Sequence, residues 1–185
     1  MSDAFKLGLA GLGTVGTGVL RLLDDNADLL SARAGRPIEV VAVSARTRGR
    51  DRGIDLSGYQ WCDDPADLAQ VEGLDAVIEV MGGTDGPALD LARASLSAGR
   101  SVVTANKAMI ATHGFELAQA AETSGAALLF EAAVCAGTPI LQTMRDGLSA
   151  NRIDRIEGIL NGTSNYIMTR MTEAGIPYQD AGIEA

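Results

Sequence analysis

Phe5-Lys6-Leu7-Gly8-Leu9-Ala10-Gly11-Leu12-Gly13-Thr14-Val15-Gly16 is the stretch that decides the fold. An apolar strand, residues 5–10, runs into G-x-G-x-x-G, and the motif opens an apolar-periodic helix. A dinucleotide pyrophosphate needs this arrangement. Gly11 permits a tight turn out of the strand, Gly13 lets the backbone approach phosphate, and Gly16 lets the new helix lie close to the sheet. The helix N-terminus then offers free N–H groups and a positive dipole end to an anion. A chain with 22 glycines will produce the pattern by chance somewhere. Here the strand before it and the helix after it supply the context that a nucleotide site requires.

Working outward, the chain has 185 residues, enough for one domain and part of another. It is 46% hydrophobic and 21% charged, which is globular composition. A formal net charge of −9 argues against a nucleic-acid partner. No apolar run is long enough to span a bilayer, and no basic segment precedes an apolar one as in a secretory signal. Cys62 and Cys135 are too few for a disulfide framework and lack metal spacing. Reduced thiols in a cytoplasm are expected. His113 is the single histidine, so Ser-His-Asp or Cys-His chemistry would rest on that residue alone.

Strands and helices alternate, which predicts a doubly wound parallel α/β sheet of Rossmann type with helices on both faces. A helix is expected over 14–30, a strand over 38–43, and a polar loop over 46–60. A short helix runs from Pro65 to Val71 behind an Asp cap. A strand over 75–81 stops at Gly82-Gly83, and Pro87 to Ala98 forms a helix closed by Gly99. A strand over 101–104, a helix over 108–124 and a strand over 127–131 follow. Alternation then weakens. Pro139 to Leu148 reads as helix, 153–160 as a strand of another sheet, and Gly162 to Glu173 as a helix closed by Gly175. The predicted division is a nucleotide-binding domain over 1–135 and the beginning of a second α+β domain, for substrate and dimerisation, over 136–185.

The second strand ends Val43-Ser44-Ala45-Arg46, without the carboxylate that binds a ribose 2′-OH in NAD sites. Arg46 and Arg48 follow, with Arg50 and Arg52 close behind. A guanidinium fork suits a 2′-phosphate, and the Ser44 hydroxyl is a further candidate donor. NADP is therefore expected over NAD; a solvated basic loop is the competing reading. Three polar segments stand beside strand ends. Thr104-Ala105-Asn106-Lys107 lies at the sheet edge where ligands of α/β folds bind. Glu131 to Pro139 combines a carboxylate with small residues whose carbonyls can face a cation, although spacing alone favours a tight interdomain turn. Asn161, Thr163, Ser164 and Asn165 can cap a helix or bind a polar ligand.

Taken together, G-L-G-T-V-G, V-T-A-N-K-A, E-A-x-V-x-x-G-x-P-I and G-I-L-N-G-T-S-N-Y-I resemble the homoserine dehydrogenase family, in order and over essentially the whole chain. The resemblance implies NAD(P)-dependent interconversion of L-homoserine and L-aspartate 4-semialdehyde, a step toward threonine, isoleucine and methionine. It implies cofactor contacts from Gly11, Leu12, Gly13, Thr14, Val15, Gly16 and Arg46. Lys107 is implied beside the nicotinamide ribose and substrate, in a supporting catalytic role. Glu131 and the carbonyls of Val134, Ala136 and Thr138 are implied as ligands of a monovalent cation, typically sodium. Cys135 departs from the family's usual glycine and puts that turn's geometry in question. The family's substrate-binding acids and catalytic lysine lie beyond the N-G-T-S-N helix, so an amino-terminal portion lacking the acid–base half is expected. A small-molecule substrate, a homo-oligomer (dimer or tetramer), and no membrane or nucleic-acid partner complete the picture. Two rivals remain. One is a semialdehyde dehydrogenase with Cys135 as nucleophile, which lacks a positioned base. The other is a non-catalytic NADP-binding sensor, which has no need of the N-G-T-S-N segment.

Overall fold

Every strand among the described residues joins one parallel sheet. The computed structural model describes residues 3–158 and 161–185. In chain order the elements are β1 Phe5–Ala10, α1 Thr14–Asp25, α2 Ala27–Ala34, β2 Ile38–Ser44, β3 Gln60–Cys62, a 3₁₀ helix Pro65–Gln70 and β4 Ala76–Glu79. There follow α3 Pro87–Ser97, β5 Ser101–Thr104, α4 Lys107–Ser124, β6 Leu128–Leu129 and α5 Glu131–Cys135. After Pro139 come α6 Ile140–Gln142, one π-helical turn Thr143–Gly147, α7 Gly162–Ala174 and α8 Tyr178–Glu184. The chain forms two compact units, Met1–Pro139 and Ile140–Ala185.

The strand order is β3-β2-β1-β4-β5-β6, all parallel. The direction of winding reverses between β1 and β4, and ligands of such sheets bind outside the carboxyl ends of the strands at that reversal. Neighbouring residues on a strand serve opposite faces. Thus Leu9 and Val43 join a cluster with Leu12 and Leu20 of the glycine turn and α1. Ala10 and Ala42 join the larger cluster with Leu68, Leu91, Leu96, Val102, Met109 and Leu117. Both faces of the sheet are therefore buried, which explains the continuous apolar runs in the sequence.

Several boundaries differ from expectation, each for a local reason. The helix expected over 14–30 breaks at Asn26, whose side-chain amide donates to the Leu22 carbonyl at 2.9 Å beside its own backbone N–H at 3.2 Å. Such local bonding competes with the helix ladder. The loop expected over 46–60 ends in the edge strand β3, three residues too short for a periodic signal. The strand expected over 75–81 covers only Ala76–Glu79, because the Glu79 carboxylate takes the N–H groups of Met81 and Gly82. The strand expected over 127–131 is just Leu128–Leu129, since Glu131 already opens α5. The helix expected over 139–148 is interrupted by the π turn. Residues 153–158 form no strand, and 159 and 160 lie outside the described residues. A strand exists through its ladder partner, and among the described residues the second unit has no strand to pair with it.

Candidate functional site: a cleft at the strand-order reversal

A cleft of about 650 Å³ opens at the carboxyl ends of β1, β2 and β4. The glycine turn forms its floor through Gly11, Leu12 and Gly13. Ala45, Arg46, Thr47, Arg50 and Arg52 form one wall, and Val80, Met81 and Gly82 another.

Each motif glycine has a separate geometric duty. Gly11 takes φ +99°, and a Cβ on it would stand 2.7 Å from the Val80 carbonyl oxygen. A Cβ on Gly16 would stand 1.8 Å from the Gly11 carbonyl oxygen, so α1 can lie this close only with glycine there. Gly13 differs: a Cβ on it would meet nothing within 4 Å and would project into open space beside the cleft floor. The first helical hydrogen bond is Thr17 N–H to the Gly13 carbonyl, 2.9 Å. The N–H groups of Thr14, Val15 and Gly16 thus have no intrahelical acceptor, and no side chain caps this helix end. An anion seated on the turn would meet them. Leu12 is 5% exposed and belongs to the core, with its carbonyl toward the arginine loop. Val15 is 59% exposed, and neither it nor Thr14 lines the cleft through its side chain.

The four arginines after β2 divide the work. Arg46 and Arg50 line the cleft, and among the described residues no carboxylate pairs with either. Arg48 lies over the Trp61 ring at 5.7 Å. The Arg52 guanidinium is committed to three carbonyls: Leu12 at 3.1 Å, Arg50 at 2.8 Å and Thr47 at 2.6 Å. Ser44 does not reach the wall: it is fully buried, its hydroxyl has no partner, and it is not a phosphate donor in this geometry. β2 turns it under the sheet, away from the cleft side taken by Ala45 and Arg46.

The opposite wall hangs on a buried network that the motifs do not advertise. Glu79, fully buried, accepts from Met81 N–H at 2.6 Å and Gly82 N–H at 3.2 Å through Oε1. Its Oε2 accepts from the Thr104 hydroxyl at 2.6 Å. Thr104 Oγ1 in turn accepts from Asn106 N–H at 3.0 Å. Asn106 donates to the Gly83 carbonyl at 2.6 Å and caps α4 by accepting from Met109 N–H at 3.1 Å. The sequence signal was a carboxylate inside an apolar strand just before Gly82-Gly83. Lys107 is the first residue of α4, exposed, and donates to the Ala132 carbonyl at 3.3 Å. It does not line the cleft.

Glu131 opens the short helix α5 and is exposed. The left-handed position of the turn after it is Gly137, φ +78°, while no non-glycine residue among those described has positive φ. Cys135 is therefore compatible with this turn, because the glycine conformation is required two residues later. Thr138 N–H donates to the Cys135 carbonyl at 2.9 Å. Val134 lies in α5 with Glu131, and Ala136 and Thr138 follow in the turn around Gly137. No group of three or more His, Cys, Asp or Glu among the described residues is arranged for a metal.

His113 pairs with Asp85 at 2.8 Å and lies 3.7 Å from Glu116, so the single histidine is engaged away from Cys135. Burial, then the carboxylates of Asp67 and Asp63, push the Cys62 thiol up. Both thiols are free. In the second unit Asn161 caps α7 by accepting from Ser164 N–H at 2.8 Å. Thr163, Ser164 and Asn165 stay exposed.

A parallel sheet in this order, with a glycine turn and uncapped helix end at the reversal, is a dinucleotide-binding domain of the Rossmann class. The comparisons narrow the class. Residues 11–131 match the family model of the homoserine dehydrogenase NAD-binding domain, and residues 139–185 match that of homoserine dehydrogenase itself. The chain belongs to the homoserine dehydrogenase family. It is 42% identical over 180 residues to the homoserine dehydrogenase of Pseudomonas aeruginosa, covering 97% of this chain and 41% of that protein. The homoserine dehydrogenase of Bacillus subtilis is 38% identical over 182 residues, 98% of this chain and 42% of that protein. The chain thus spans about two fifths of these relatives. The crystal structure of a homoserine dehydrogenase from Thiobacillus denitrificans superposes with a TM-score of 0.88 at 40% identity, over 99% of this chain and 42% of that one. A hyperthermophilic archaeal homoserine dehydrogenase in complex with NADPH gives 0.81 at 26% identity, over 99% and 60%. Among the described residues no helix is long and apolar enough to cross a membrane.

Proposed function

We propose that these residues are the cofactor half of an NADP-preferring homoserine dehydrogenase, acting on L-homoserine and L-aspartate 4-semialdehyde within a homo-oligomer in the cytoplasm. Residues 1–135 bind the dinucleotide and 136–185 begin the substrate domain. The observation that carries the reading is the joint lining of one cleft by the glycine turn and by Arg46 and Arg50. The N–H groups of Thr14, Val15 and Gly16 receive the pyrophosphate. Arg46 receives the adenosine 2′-phosphate, for which a planar fork is suited. Bound nicotinamide gives or takes the hydride, and the protein contributes position and charge. Lys107, at the carboxyl edge of β5, orients the substrate side of the nicotinamide ribose. Glu131, with the carbonyls of Val134, Ala136 and Thr138, holds a monovalent cation, sodium.

The experiment is Arg46→Ala with NADPH and NADH titrated separately. NADPH binding weakens by about 1–3 kcal/mol, the worth of a charge-assisted contact, and NADH binding changes little. Equal losses for both cofactors would remove the basis for NADP preference.

A further inference from the structure

The arginine loop, residues 46–52, brings Arg46, Arg50 and Arg52 to the cleft, and it is tied to the domain through Arg48 over Trp61 and through Arg52. Among the described residues its hydrogen bond to the glycine turn is the one from Arg52 Nε to the Leu12 carbonyl, 3.1 Å. The other two arms of the same guanidinium close the loop on itself, at the Thr47 and Arg50 carbonyls. The guanidinium also lies over the Trp61 ring of β3, 5.9 Å from its centre. Arg52 therefore uses its planar, forked donors to fix three backbone oxygens at once, which a lysine ammonium cannot reproduce.

The glycine turn does not depend on this bracket. Gly11 N–H donates to the Ser44 carbonyl at 2.9 Å, Val80 N–H donates to the Ala10 carbonyl at 2.9 Å, and Gly16 seats α1 against Gly11. The dependence runs one way: without Arg52 the turn stays and the loop loosens. We propose that Arg52 is a positioning residue for cofactor selection, fixing the loop backbone at Thr47 and Arg50 so that Arg46 and Arg50 stay at the cleft. Arg52 borders the same cleft, with one donor from each of its three nitrogens held by backbone carbonyls. The inference rests on the cofactor reading above.

The test compares wild type, Arg52→Lys, Arg52→Gln and Arg46→Ala by fluorescence titration with NADPH and NADH, with thermal unfolding of each. Wild type binds NADPH saturably and more tightly than NADH; failure of that result overturns the cofactor reading rather than the role of Arg52. Arg52→Lys keeps the charge and loses the fork. It weakens NADPH binding roughly tenfold, the effect of losing contacts worth a little over 1 kcal/mol, while NADH binding moves less than about threefold. Arg52→Gln does the same, and both unfold near the wild-type temperature. Wild-type NADPH affinity in Arg52→Lys would show that charge, not placement, matters. Equal weakening of both cofactors, or failure of the variants to fold, would show a general structural role. Either result overturns the proposal.

Discussion

Gly13 and Gly16 stand three residues apart and answer to different constraints. Gly16 is demanded by the protein itself, since its Cβ would collide with the Gly11 carbonyl. Gly13 has open space around it and φ −82°, which any residue adopts. Gly16→Ala must move α1 or the turn, at a cost of about 1–3 kcal/mol or more. Gly13→Ala should leave stability within about 0.5 kcal/mol, yet weaken NADPH and NADH alike by crowding the pyrophosphate. Urea midpoints and cofactor titrations separate the two; a destabilised Gly13→Ala would contradict the geometry. The sequence reading assigns Gly13 to phosphate approach and Gly16 to close helix packing, and the geometry adds the clash at Gly16 and the open space at Gly13. The thiols divide in the same manner. Cys62 is 6% exposed with its ionisation disfavoured by burial and by Asp67 and Asp63, whereas Cys135 is half-buried. Iodoacetamide at mildly alkaline pH should label Cys135 first, with Cys62 labelled only on unfolding. Peptide mass mapping checks the order, and equal rates would mean that β3 opens readily.

At the scale of elements, the loop after β4 is held by side chains more than by its own backbone. Glu79 collects three donors from two segments, Met81 and Gly82 on one side and Thr104 on the other. Glu79→Ala leaves those donors without their acceptor, each costing about 1–3 kcal/mol if it stays buried. Glu79→Gln retains an acceptor for the loop and should cost less. Denaturant unfolding of the pair measures the difference, and an Ala variant as stable as wild type would mean that water replaces the carboxylate. The strand–helix alternation and the β5 strand were legible because long periodic segments and glycine stops mark them. Three features were not. The break at Asn26 depends on one amide competing for one carbonyl, β3 is too short to show a period, and Glu79 ends its strand through contacts distant in sequence. The strand read at 153–160 shows the converse limit: β-branched residues favour extension, but over the described 153–158 no ladder partner is present. The cleft's lining was legible where motifs carry it, since the glycine turn and Arg46 line one cleft. The bracketing by Arg52 was hidden, because nothing in an arginine-rich loop tells a phosphate-facing guanidinium from one spent on carbonyls.

For the whole molecule the decisive matter is which chemistry residues 1–185 complete. The glycine turn, Arg46 and Arg50 all lie in the first compact unit, and the cleft is formed by that unit alone. On the proposed reading, the dinucleotide contacts named above all come from the first unit. On the proposed reaction, turnover would need a proton donor at the alkoxide that hydride transfer to the aldehyde carbon would leave. Lys107 is the cation nearest that role on the family resemblance, yet its ammonium is held by the Ala132 carbonyl and it does not line the cleft. A positioned general acid contributes roughly 10²–10⁴-fold, and a lysine engaged as Lys107 is supplies little of that. Purified residues 1–185 should bind NADPH saturably and then leave it unoxidised when L-aspartate 4-semialdehyde is added, followed by loss of nicotinamide absorbance. The longer relatives supply the positive control under the same conditions. Steady oxidation near the control rate would place the acid within these residues, and Lys107→Met would then be the variant that abolishes it. Absence of NADPH binding would instead fault the cleft, and with it the assignment of Arg46.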